Sequence, residues 1–148
     1  MTISYNRLGS NGRLGNQMFQ YAGLRGIAAN RGFDWLIPPP NSYGDSNYGL
    51  FDCFKMETVE EKNFGQLDAQ SIATGVFHFD ENFFNQCPDN VNLHDYFTTE
   101  KYFANVKDII RKDFQFKEEI LEPCKEVVDE LDNPIFIHLR RGDYSANP

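Results

Sequence analysis

The residues best equipped for chemistry form the run Ile135-Phe136-Ile137-His138-Leu139-Arg140-Arg141-Gly142-Asp143-Tyr144. An apolar stretch that reads as a buried strand delivers two adjacent arginines and an aspartate into a glycine-containing turn. Ligands of open α/β sheets bind just past the carboxyl ends of strands, and the planar guanidinium fork matches phosphate oxygens. Arg140 is the first candidate for gripping a phosphate; Arg141 either assists or pairs with an acid. Alternation puts His138 on the same face as Arg140, where a core histidine is the expected role and nucleotide contact the second. Asp143 is expected to orient an arginine or hold the turn, because a carboxylate repels phosphates. An ordinary strand end with solvated charges is the competing reading.

A second chemical run lies near the other end, Gly12-Arg13-Leu14-Gly15-Asn16-Gln17-Met18-Phe19-Gln20-Tyr21-Ala22. Its spacing with Gly9 is G-x-x-G-x-x-G, which is neither a dinucleotide fingerprint nor a Walker loop. Glycines let a backbone approach a ligand closely. Asn16 and Gln17 fall at or near the first turn of a helix, where free N–H groups and the helix dipole favour anions. N-capping by Asn16 and a plain tight turn are the bland alternatives. The two runs together suggest halves of one anion-binding cleft.

Alternating element types position these runs. Residues 3–8 read as a strand, 16–30 as a helix stopped by Arg31-Gly32, and 33–37 as a strand stopped by Pro38-Pro39-Pro40. Residues 38–49 are a Pro-, Asn-, Ser- and Gly-rich loop, and 51–54 a short aromatic element. Further strands are expected over 72–79 and 93–97, a loop over 82–92, and amphipathic helices over 100–112 and 117–131. Asn133-Pro134 then breaks the chain before the strand that opens at Ile135. The aromatic residues Tyr96, Phe97, Tyr102 and Phe103 are of a type that stacks on a sugar, with core packing the expected use.

The glycine run resembles the N-terminal signature of the α-1,2-fucosyltransferases. His138-Leu139-Arg140-Arg141-Gly142-Asp143 resembles their H-x-R-R-x-D motif, shared with α-1,6- and protein O-fucosyltransferases. Between them, residues 95–103 and 109–114 are similar to the family's central aromatic strand and helix. The resemblance implies an α/β fold: a Rossmann-like N-terminal domain of a GT-B-type glycosyltransferase, whose second domain has only begun. It implies transfer of L-fucose from GDP-fucose to a sugar hydroxyl in α-1,2 linkage, with inversion and without an obligatory metal or other cofactor. Arg140 and Asn16 would serve catalysis. Gly12, Arg13, Gly15, Asn16, His138, Arg140, Arg141 and Asp143 would hold the donor. A fixed cation such as Arg140 stabilises charge that develops on departing GDP only in the transition state. No residue is assigned as general base.

Members of that family are about twice this long. Residues 1–133 are therefore expected to be the N-terminal α/β domain, and residues 134–148 the first strand and turn of a truncated donor-binding domain. The alternative is a remnant or half-enzyme that binds glycan or nucleotide without turnover. Expected partners are the nucleotide sugar and a glycan acceptor, with peripheral membrane association through lipid-linked acceptors. Self-association through an exposed edge of the strand at Ile135 is a further expectation.

The 148 residues are 41% hydrophobic and 15% aromatic, enough for one domain-sized core. A net charge of −8 argues against nucleic acid as a partner. The charge is uneven: residues 1–32 hold Arg7, Arg13, Arg25 and Arg31 but no Asp or Glu. Such a cationic opening would focus potential on a small anion, although Arg25 and Arg31 read better as solvated helix residues. His78 with Asp80 and His94 with Asp95 lack a third ligand in register for a metal. The three scattered cysteines suit reduced thiols. With no apolar stretch long enough to span a bilayer and no signal peptide, a cytoplasmic location is expected.

Overall fold

Thr2–Ser4 form β1 at the centre of a sheet, where Ile3 and Ser4 are both fully buried. The computed structural model describes residues 1–42 and 48–139; residues 43–47 and 140–148, Arg140, Arg141 and Asp143 among them, lie outside the described residues. Asp34–Leu36 (β2), Ser71–Ile72 (β3) and Val91–Leu93 (β4) complete a four-stranded parallel sheet in the order β2-β1-β4-β3. Parallel neighbours need crossover connections. The helix Leu14–Arg31 (α1) links β1 to β2, Gly49–Cys53 (α2) lies between β2 and β3, and Glu81–Gln86 (α3) links β3 to β4. The protein is thus of mixed α/β class. Asn92 ties the sheet laterally: its Oδ1 accepts from the Asn6 N–H (2.8 Å) and its Nδ2 donates to Ser71 Oγ (2.7 Å).

The chain divides into two units, Met1–Lys117 and Glu118–Pro148, whereas the sequence reading places its boundary at 133/134. The first unit holds the sheet, its buried core and Lys107–Asp113 (α4). The second holds the helix Glu118–Asp129 (α5).

α1 stops where expected. Gly32 is left-handed (φ 67°), so the Phe33 N–H reaches Ala28 O (2.9 Å) and the Gly32 N–H reaches Ala29 O (3.3 Å). Within α1, Gly23 and Gly26 cost helix stability relative to alanine but allow close approach of Phe97 and of the Tyr102 backbone. Phe97 and Tyr102 are core residues, as expected for that aromatic stretch.

Several expectations are corrected. The first strand ends at Ser4, and residues 5–8 turn, with Tyr5 and Leu8 still buried. The strand foreseen over 72–79 stops at Ile72, because Gly75 takes a left-handed φ of 72° and Phe79 turns to pack on Tyr102. The loop foreseen over 82–92 contains α3, whose N-cap Asp80 accepts from the Phe83 N–H, and β4, so the strand foreseen over 93–97 lies at Val91–Leu93. The helix foreseen over 100–112 is two 3₁₀ turns followed by α4.

Arg25 is not a solvated helix residue. It is buried, with Nη1 donating to Thr58 Oγ1 (2.9 Å), to the Tyr21 hydroxyl and to Asp113 Oδ2 (3.1 Å), and its guanidinium lies 4.4 Å from the Trp35 ring centroid. Burial raises the Tyr21 phenol above the usual tyrosine range, so it stays a donor to Asp113 Oδ2 (2.6 Å). Arg31 is exposed yet fixed, donating to Asn85 O (2.7 Å) and Cys87 O (3.1 Å).

In the second unit, residues 135–139 form no strand. Ile135 is 88% exposed, and no strand among the described residues pairs with this segment. A strand without a ladder leaves its backbone groups to water. His138 is exposed rather than a core histidine.

The cysteines are free. Burial pushes the Cys87 thiol up to about 11, opposed by the nearby Arg31 charge. At about pH 8 a thiol reagent should label exposed Cys124 promptly and leave Cys87 unmodified until unfolding, because thiolate is the reactive form. Equally rapid loss of all three thiols would contradict this.

Candidate functional site

The carboxyl ends of β1, β3 and β4 lie side by side, so the loops that follow them share one edge of the sheet. The loop after β1 is the glycine run. Gly12 has φ 84°, and a Cβ there would fall 2.7 Å from both Cβ and Nδ2 of Asn16. Two buried amides hold the loop from below: Gln17 Nε2 donates to Gly12 O (3.1 Å) and Gln20 Nε2 donates to Asn11 O (3.0 Å). These two side chains explain much of the run on structural grounds.

What remains faces solvent. Gly12, Arg13, Gly15 and Asn16 are all exposed. Arg13 is the N-cap residue of α1 and makes no side-chain cap, so Asn16 is a first-turn residue and not the cap. The Arg13 guanidinium has no ion-pair partner among the described residues. Gly15 differs from Gly12: its φ is not positive and a Cβ would meet nothing within 4 Å. Nothing in the fold requires glycine there.

The loops after β3 and β4 build a cleft of about 370 Å³ with the loop after β1, lined by Asn11, residues 73 and 75–77, His94, Asp95 and Tyr96. Four hydrogen bonds to Asp95 fix its floor. The Tyr5 hydroxyl donates to Asp95 O (2.7 Å), Asp95 Oδ2 accepts from the Thr74 N–H (2.9 Å) and hydroxyl, and Asp95 Oδ1 accepts from the Tyr96 N–H (2.7 Å). The Tyr96 hydroxyl lies 3.4 Å from Asn11 Oδ1, joining the cleft to the glycine loop. Burial raises the Tyr5 phenol above its usual range and keeps it a donor.

The chain matches no family model, no curated protein and no solved structure. The site therefore rests on its own geometry.

That geometry brings together Gly12, Arg13, Gly15 and Asn16 at the start of α1. It leaves His138 on the second unit, and Arg140, Arg141 and Asp143 lie outside the described residues. Sequence reading gave Asn11, Thr74, Phe77 and Asp95 no part in a site. A signal was available: the rule that ligands sit past the carboxyl ends of parallel strands applies to β3 and β4 as well as to the run after Ile135. Among the described residues, no helix is long and apolar enough to cross a membrane.

Proposed function

We propose that this chain carries the N-terminal, Rossmann-like part of a GT-B-type transferase that moves L-fucose from GDP-fucose to a sugar hydroxyl with inversion and without an obligatory metal. The observation that carries the reading is the exposed start of α1, where Gly15 stands without structural need beside Arg13 and Asn16. A ligand that must approach the backbone is a physical reason for glycine at such a place. Support also comes from the ordered resemblance of the glycine run, the central aromatic segment and the H-x-R-R-x-D run to fucosyltransferases, and from the parallel sheet that presents the glycine loop at a strand's carboxyl end. In this reading Arg13 and the free N–H groups of α1 meet the donor's anionic part; the family resemblance assigns the leaving diphosphate to Arg140.

Labelled GDP-fucose and a panel of sugar acceptors, incubated with a protein in which this chain is joined to a whole donor-binding domain, should yield fucosylated product. Transfer from another nucleotide sugar, with none from GDP-fucose, would overturn the reading. Gly15→Ala separates function from folding. It should hold or raise the melting temperature, since alanine favours a helix by up to about 1 kcal/mol over glycine. Transfer should fall by about tenfold or more, equivalent to about 1.4 kcal/mol of lost transition-state stabilisation. Full transfer by this variant would remove the loop from the donor site.

A further inference from the structure

The cleft past β3 and β4 has a chemistry unlike that of the glycine loop. No Lys or Arg lines it, and it contains the Asp95 carboxylate. An anionic ligand there would meet a like charge with no cation to offset it. Its walls are mainly apolar, with a few polar groups at fixed positions, the general character of a small-molecule site. Phe77 stands at its rim 91% exposed, and Tyr96 is partly exposed beside Asn11. The His94 imidazole lines the cleft and has no hydrogen-bond partner among the described residues. Its backbone is held, since the His94 N–H donates to Ile72 O (2.9 Å).

We infer that this cleft binds one ring of an uncharged saccharide. A pyranose presents a C–H face that packs on an aromatic ring and a rim of hydroxyls that donate and accept hydrogen bonds. Phe77 and Tyr96 supply the aromatic surface, and Asn11 and the His94 imidazole supply the polar groups. The Asp95 carboxylate, already accepting from Thr74 and Tyr96, positions this wall. As the acceptor site this assignment rests on the transferase reading; as a saccharide site it stands on the cleft alone.

The test titrates the isotope-labelled full chain with methyl β-galactoside in one arm and with GDP or inorganic phosphate in another, followed by NMR. The saccharide should shift the signals of Phe77 and His94, while GDP and phosphate leave these two in place. Phe77→Ala, at a side chain too exposed to matter for folding, should weaken saccharide binding about two- to tenfold, the worth of one aromatic contact. His94→Gln should weaken it similarly, and Phe19→Ala, outside the cleft, should not. Equal shifts with phosphate, or no saccharide response at the cleft, would overturn the inference. Saccharide binding by the chain, with no turnover of GDP-fucose by the protein that also holds a whole donor-binding domain, would fell the transferase reading alone. Fucose transfer with an unchanged acceptor KM in both cleft variants would fell the cleft assignment alone.

Discussion

Asp113→Ala should destabilise the first unit by about 3–5 kcal/mol, the cost of leaving a buried charge without its partner. The Asp113 carboxylate is fully buried and accepts from four donors: Tyr21, Arg25 and the hydroxyl and N–H of Thr58. Removing it leaves Arg25, itself only 9% exposed, with a positive charge inside the core. In a thermal melt followed by circular dichroism, the midpoint should fall on the order of 10–20 °C. The double variant Arg25→Met with Asp113→Leu should recover most of that loss, since well-packed apolar residues often replace a buried pair at little cost. A change below about 1 kcal/mol in the single variant, the range of exposed pairs, would show that the pair behaves as a surface contact.

Gly26→Ala should be the most damaging single methyl addition on α1. A Cβ there would sit 1.8 Å from the Tyr102 carbonyl oxygen and 2.8 Å from Phe103 Cα. Both are backbone atoms, so no rotamer change relieves the overlap, and the helix must move off the segment that carries Tyr102. Overpacking of this kind costs about 3 kcal/mol at the upper end of its usual range, well above the ~1 kcal/mol that alanine returns in helix propensity. Chemical denaturation should show a lowered midpoint with α1 still helical. A variant as stable as the parent would mean that this contact is looser than described. The contrast with Gly15→Ala is informative, because the same substitution on the same helix should have opposite effects on stability.

How much was legible in the sequence differs by element for physical reasons. α1 could be read because its apolar spacing is strong and Gly32 provides a left-handed stop. β2 could be read because three prolines end it. The run Val76-Phe77-His78-Phe79 looks like a strand by residue type, but a strand exists only with a ladder partner, and Gly75 turns the chain away first. α3 was missed although Asp80 is a good N-cap, because the helix is short and polar. The fate of Arg25 was invisible, since its partner Asp113 lies 88 positions away. At the candidate site, the glycine loop was legible as a loop opening a helix. The division of labour inside it was not: Gln17 and Gln20 are structural, whereas Gly15 is not.

The two glutamine amides beneath that loop carry one more consequence. By tethering the carbonyls of Asn11 and Gly12 to the second turn of α1, they make the loop's shape a property of the folded core. A ligand arriving at the start of α1 then meets a preorganised backbone and bears little of the ordering entropy that a floppy loop would impose. Recognition at this loop and the folding of α1 therefore rest on the same two side chains.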